Sequence, residues 1–181
     1  MFKKIIVRGF VGLVVLIALF AGFVALQPSD YRVERKATIA APPSAVFAQV
    51  NDFHKWDAWS PWAKLDPNAT TKFEVAEAGK GAIFRWAGND DIGEGSMTIT
   101  DSVPNELVKL KLEFIKPYPG TSDTVFTFKP QGDQTEVTWA MSGKNNFVGK
   151  AICVFMNMDK MVGAKFDEGL ANMKSVVESA K

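Results

Sequence analysis

Few side chains in this sequence are of a type and spacing that could carry chemistry. Asp159 follows Phe155 by four residues and precedes Val162 by three, so a helical reading puts it on their apolar stripe. A carboxylate placed inward has a raised pKa or an arginine partner, and Arg35 and Arg85 are the candidates for that partner. Arg35 shares a strand face with Val33 and Ala37, and Asp101 shares one with Met97 and Ile99. Arg35 and Asp159 are thus the candidate catalytic pair, suited to polarising a carbonyl and moving a proton. The alternatives are a helix-to-sheet ion pair, or a helix rotated so that Asp159 lies at its edge. His54, the only histidine, has no metal or catalytic partner and reads as a surface or capping residue. Cys153, the only cysteine, excludes an intrachain disulfide and reads as a small buried apolar residue. There is no nucleophile with a paired base, no metal-ligand spacing and no GxxxxGK loop, and Gly79-Lys80-Gly81 is too short to be one. No metal or cofactor is expected.

These residues need elements to position them. From Asn146 to Lys181 no proline interrupts the chain, and Ile152, Phe155, Val162, Phe166, Leu170, Met173 and Val177 recur at helical steps. The pattern predicts one long amphipathic helix, capped by Asn145 or Asn146 and bent near Gly163. Between Tyr31 and Ser142 the pattern is of short alternating strands. One strand precedes Pro42-Pro43, a short helix follows over Ser44–Val50, and six strands run from Thr71 onward, separated by turns such as Gly79-Lys80-Gly81 and Gln131-Gly132-Asp133. The clean alternation of Val108, Leu110, Leu112 and Phe114 with Lys109, Lys111 and Glu113 marks a sheet with one wet face. The expected fold is α+β, a seven-stranded curved antiparallel sheet around the long C-terminal helix.

The inner face of that sheet carries large or soft groups: Phe84, Trp86, Met97, Leu110, Phe126, Trp139 and Met141. With Phe155, Asp159, Val162 and Phe166 from the helix, these residues are candidates to line a hydrophobic-ligand pocket. The same side chains could instead pack together and leave no void. Trp56, Trp59 and Trp62 are three apart, with Pro61 forcing a break. Trp59 and Trp62 join the candidate ligand-binding set as aromatic walls at the cavity mouth; alternatively the cluster plugs the end of the core, or rests on a membrane interface.

The N-terminus is of another kind. Gly9 to Leu26 is an eighteen-residue run without a charge, long enough to cross a bilayer as a helix, so residues 1–27 read as a membrane anchor and residues 5–26 as its membrane contact. A signal peptide is the rival, but Phe23 and Leu19 occupy the −3 positions for cleavage after Ala25 and Ala21. Lys3, Lys4 and Arg8 on a short basic tail favour a cytoplasmic N-terminus and an extracytoplasmic domain, in the periplasm for a Gram-negative inner-membrane protein. Without those three, 18 of the 21 basic residues remain against 20 acidic ones. A weakly acidic domain does not suit nucleic acid, which must have its phosphates neutralised.

The runs PSDYRVER…IAAPPSAVFAQVNDFHKWDAWSPW and VTWAMSGKNNFVGK…FMNMDKMVGAKFDEGLANMK resemble the SRPBCC superfamily, the START-like and birch-pollen-allergen-like helix-grip domains, in its polyketide cyclase/dehydrase branch. The resemblance covers residues 28–181, taken as one domain. It implies a helix-grip fold whose cavity between sheet and long helix binds lipids, sterols or polyketide-like molecules. Three roles follow: a membrane-tethered binding domain for a hydrophobic small molecule, a cyclase/dehydrase enzyme using Asp159 and an arginine, or a co-chaperone-like module with the tryptophan loop as its contact surface.

Overall fold

A computed structural model describes residues 2–180, with side chains from residue 6 onward; Met1, Lys181 and the side chains of Phe2, Lys3, Lys4 and Ile5 lie outside the described residues. The chain begins with helix α1, Phe2–Leu26, of which Ile6–Leu26 is long and apolar enough to cross a membrane. Strand β1, Asp30–Ile39, leads through Pro42, which halts the extended run, into helix α2, Pro43–Asn51. A short 3-10 helix, Phe53–Ala58, follows, and Asp52 caps it by accepting from the His54 backbone N–H at 2.9 Å. Six strands come next: β2, Thr70–Glu74; β3, Ile83–Ala87; β4, Glu94–Val103; β5, Leu107–Lys116; β6, Gly120–Gln131; and β7, Gln134–Lys144. They form one antiparallel sheet in the order β1-β7-β6-β5-β4-β3-β2. The meander β2 to β7 is built from neighbouring hairpins, whereas β1 pairs with the last strand, Val33 opposite Met141 and Arg35 opposite Trp139.

The C-terminal segment is two helices rather than one: α3, Phe147–Phe155, and α4, Met158–Ser179. The break falls at Met156-Asn157, not near Gly163. The cause is a second cap. Asn146 accepts from the Gly149 N–H at 2.8 Å to start α3, and Asn157 accepts from the Lys160 N–H at 2.9 Å to start α4, with Asp159 favourably placed in its first turn. Gly163 sits inside unbroken helix. Its role is steric, because a Cβ there would overlap the Arg35 guanidinium.

Helix α4 buries Phe166, Leu170, Met173 and Val177 against the sheet, as the apolar stripe predicts. Ile152 and Phe155 do not share that stripe. They belong to α3, which buries no residue in the domain and packs beside α1, with Phe20 and Phe155 rings 5.9 Å apart. The face assigned to Asp101 is also corrected. A bulge between Ile99 and Asp101 shifts the register, so Ile99 still opposes inward Leu110 while Asp101 opposes outward Lys109 and pairs with it at 3.5 Å.

Candidate functional site

The space between the sheet and α4 has a filled end and an open end. At the filled end the chain between α2 and β2 drives its tryptophans into the interior. Trp59 has no exposed surface, and its ring lies 4.6 Å from Trp56 and 5.6 Å from Trp139. The Trp56 and Trp59 N–H groups donate to the Val50 and Gln49 carbonyls of α2, both at 3.1 Å. Trp139 stacks on Phe166 of α4 at 4.0 Å with the rings 9° from parallel, and half-buried Trp62 meets both edge-on. Leu110, Phe126 and Met141 complete this packing and are buried. The tryptophans therefore plug this end. Among the described residues the Trp139 N–H buried there has no partner.

The open end is a single cross-strand row that spans all seven strands. Phe73, Phe84, Met97, Leu112, Ser122, Gly143 and Tyr31 stand opposite one another in turn from β2 to β1. One half of the row is apolar, and Phe84, Met97 and Leu112 are only half-buried. Trp86 and Phe114 extend it towards the strand ends, the Trp86 N–H held by the Ile92 carbonyl at 2.9 Å. The other half is polar: the Tyr31 and Ser122 hydroxyls are hydrogen-bonded at 2.6 Å. Beside Tyr31 a groove of about 510 Å³ opens towards Asn145, Cys153, Phe155, Met156 and Met158. Val162 is half-buried on α4, whereas Phe155 stands 78% exposed and outside the sheet–helix interior.

Arg35 and Asp159 do meet, but at the edge of the interface. Asp159 is exposed rather than inward. The guanidinium lies over Gly163 between two carboxylates: its Nη1 and Nη2 donate to the Asp159 carboxylate at 3.0 and 3.1 Å, and its Nε to Asp167 at 3.2 Å. The Glu34 and Asp159 carbonyls accept the remaining N–H groups at 2.8 and 2.9 Å. All five guanidinium donors are thus engaged, none with a vacant position for a substrate oxygen. The hydrogen bond from Arg35 holds the Asp159 carboxyl below the usual carboxylate range, against a smaller desolvation effect, and the arginine is raised chiefly by the same bond. Arg85 is not the partner; it bonds Glu74 across the β2–β3 pair at 3.0 Å. His54 lies at the surface against Asp52 and stacks on Phe73 at 4.0 Å. Among the described residues no three His, Cys, Asp or Glu side chains gather as a metal site.

This clamp makes a testable prediction. Replacing a helical glycine by alanine normally favours a helix by about 1 kcal/mol. At position 163 the new methyl must expel the guanidinium, so Gly163→Ala should destabilise the native chain. In an Arg35→Ala background the same change should recover up to about 1 kcal/mol. Urea unfolding of the four proteins of this cycle measures the coupling, and equal effects in both backgrounds would refute it.

The sequence profile described as "Polyketide cyclase / dehydrase and lipid transport" matches residues 30–178. The chain belongs to that family. No curated protein matches it in sequence. Among solved structures it resembles a protein of unknown function from Staphylococcus aureus, with 12% identity, TM-score 0.63 and coverage of 86% of this chain and 98% of the other. The Aha1 dimer from Colwellia psychrerythraea gives 14%, 0.58, and 82% and 96%; Ara h 8.0201 gives 10%, 0.59, and 83% and 99%. At such identities the likeness speaks for the family's helix-grip architecture and not for a shared ligand. Of the residues at the open end, Phe84, Trp86 and Met97 are legible as an inward alternation. The Tyr31–Ser122 pair is not, because 91 residues separate its members and no local pattern joins them.

Proposed function

We propose that the chain is a membrane-tethered binding domain for a hydrophobic small molecule, a lipid or a polyketide-like compound. The observation that carries this reading is the half-covered row across the sheet. An apolar body lies on Phe84, Met97 and Leu112, and a polar end reaches the hydroxyl of half-buried Tyr31, which buried Ser122 holds in place. Helix α1 is the tether, with the N-terminus in the cytoplasm and the domain outside it. It keeps the site near the bilayer and raises the local concentration of lipid-soluble ligands. The engaged guanidinium of Arg35 and the exposed Asp159 favour a structural clamp over acid–base catalysis. Likewise the burial of Trp59 removes the exposed tryptophan loop that a co-chaperone-like contact would need.

The test is native mass spectrometry of the full-length protein extracted gently from its own membrane. A bound lipid-like mass is expected, and Leu112→Lys should weaken its retention at least about tenfold by placing a charge on the apolar floor. A protein that is empty and also fails to take up 1-anilinonaphthalene-8-sulfonate overturns the reading.

A further inference from the structure

We propose that α3 is itself a membrane-inserted element, seated antiparallel to the C-terminal end of α1 in the boundary region of the same leaflet. The proposal rests on α1 crossing the bilayer and names the surface that receives α3: lipid.

Helix α3 has the sequence FVGKAICVF, with Lys150 as its one charged residue. None of its residues is fully buried, and Phe147 and Val148 are 53% and 50% exposed, followed by exposed Phe155 and Met156 at the break. In water these four side chains would stand as an apolar surface beyond what α1 covers.

Two contacts fix where the patch lies. The Lys150 ammonium donates to the Ala25 carbonyl at 3.1 Å, and the Phe155 ring meets Phe20 at 5.9 Å. Five residues separate the members of each pair of positions, in opposite chain directions, so the two helices run antiparallel in register. Phe20 lies six residues before the end of α1, or about 9 Å along its axis. Whatever touches Phe20 is therefore as deep as Phe20. That depth matches the roughly 5–10 Å to which the apolar face of an interfacial helix sinks.

Lys150 has the position such a helix requires. Its ammonium sits at the outer end of α1, where exposed carbonyls and the helix dipole favour a cation, while its stem runs along apolar surface. The break at Met156-Asn157 then returns the chain to the domain through the Asn157 cap. With α1 and α3 both in the leaflet the domain is held at two points. The groove beside Tyr31, lined in part by Cys153, Phe155 and Met156, then opens at the lipid surface.

The experiment uses the full-length chain in vesicles of phosphatidylcholine and phosphatidylglycerol, in a Cys153→Ser background. Nitroxide labels are placed singly through Phe155→Cys, Val148→Cys, Leu13→Cys in α1 and Lys111→Cys on the outer face of the sheet. Power-saturation EPR compares collisions with oxygen and with an aqueous nickel chelate. The expected result is an oxygen-to-nickel ratio several-fold higher at 155 than at 111, with 13 deepest and 148 shallower than 155. A label at 155 as open to nickel as that at 111, while 13 stays immersed, overturns the insertion of α3 and leaves the tether standing. If 13 is also aqueous, both fall. A 148 label deeper than 155 overturns the antiparallel seating.

Discussion

Trp59→Ala is expected to destabilise the protein by about 3–5 kcal/mol, the range for removing a large aromatic from a packed core. The ring has no exposed surface, touches Trp56, Phe126 and Trp139, and satisfies the Gln49 carbonyl. Its own carbonyl accepts from the Asn172 side chain on α4 at 3.3 Å, so the loop it anchors also ties α4 down. For a chain of this size the loss corresponds to a fall of about 6–20 °C in Tm. Near-UV circular dichroism of the detergent-solubilised protein measures it. Trp62→Ala, at a half-buried ring, should have a clearly smaller effect. A change at Trp59 below about 1 kcal/mol would mean that the tryptophan loop lifts from the core at little cost. Because the ring is a plug, its removal should leave uptake of an apolar probe intact. That separates it from Leu112→Lys, which should lose uptake with the fold preserved.

The second large effect is expected at the β3–β4 turn. Gly93 has φ +64°, and a Cβ there would overlap the Lys116 carbonyl oxygen of the neighbouring strand end. Gly93→Ala therefore combines a left-handed backbone penalty with a clash against backbone that cannot rotate away, together about 2–4 kcal/mol. Gly132→Ala is the control. Its φ of +61° is similar, but among the described residues nothing lies within 4 Å, so only the backbone penalty of about 1 kcal/mol remains. Thermal unfolding of the two variants in parallel measures the difference, and equal shifts would refute the clash. The turn also presents the Ile92 carbonyl to the Trp86 N–H, so Gly93→Ala should disturb Trp86 in the open end of the row.

The strands were legible because a sheet with one wet face writes itself as alternation, and the six hairpin-linked strands need only local turns to be found. Alternation misleads where the backbone adds a residue. The bulge before Asp101 reverses its face, and no side-chain type announces it. In sequence the helical stripe continues past Met156-Asn157 because apolar residues lie on both sides; Asn157, a capping residue inside that run, is the one signal of the break. Phe155 has the right spacing for the stripe and a different neighbour, since spacing along a helix does not say what lies against it. The Arg35–Asp159 pair was foreshadowed by two charges on apolar faces. Gly163, which makes room for it, reads in sequence only as a weak point of the helix. The role of the tryptophans was open for the same reason: three-residue spacing gathers them, and only tertiary packing decides between wall and plug.

The pairing of β1 with β7 has a consequence for biogenesis. About 100 residues of chain separate the two strands, so at roughly 5–20 residues per second β1 leaves the ribosome some 5–20 s before its partner exists. For that interval it hangs just beyond α1 with both hydrogen-bonding edges unclaimed, a template for the wrong pairing. Arg32, Glu34 and Lys36 charge one of its faces, and Arg35 interrupts the other. The same arginine that later clamps α4 thus keeps the waiting strand from sticking to another copy. Closure of β1 onto β7, with α4 folding across it, is the late, long-range step of assembly.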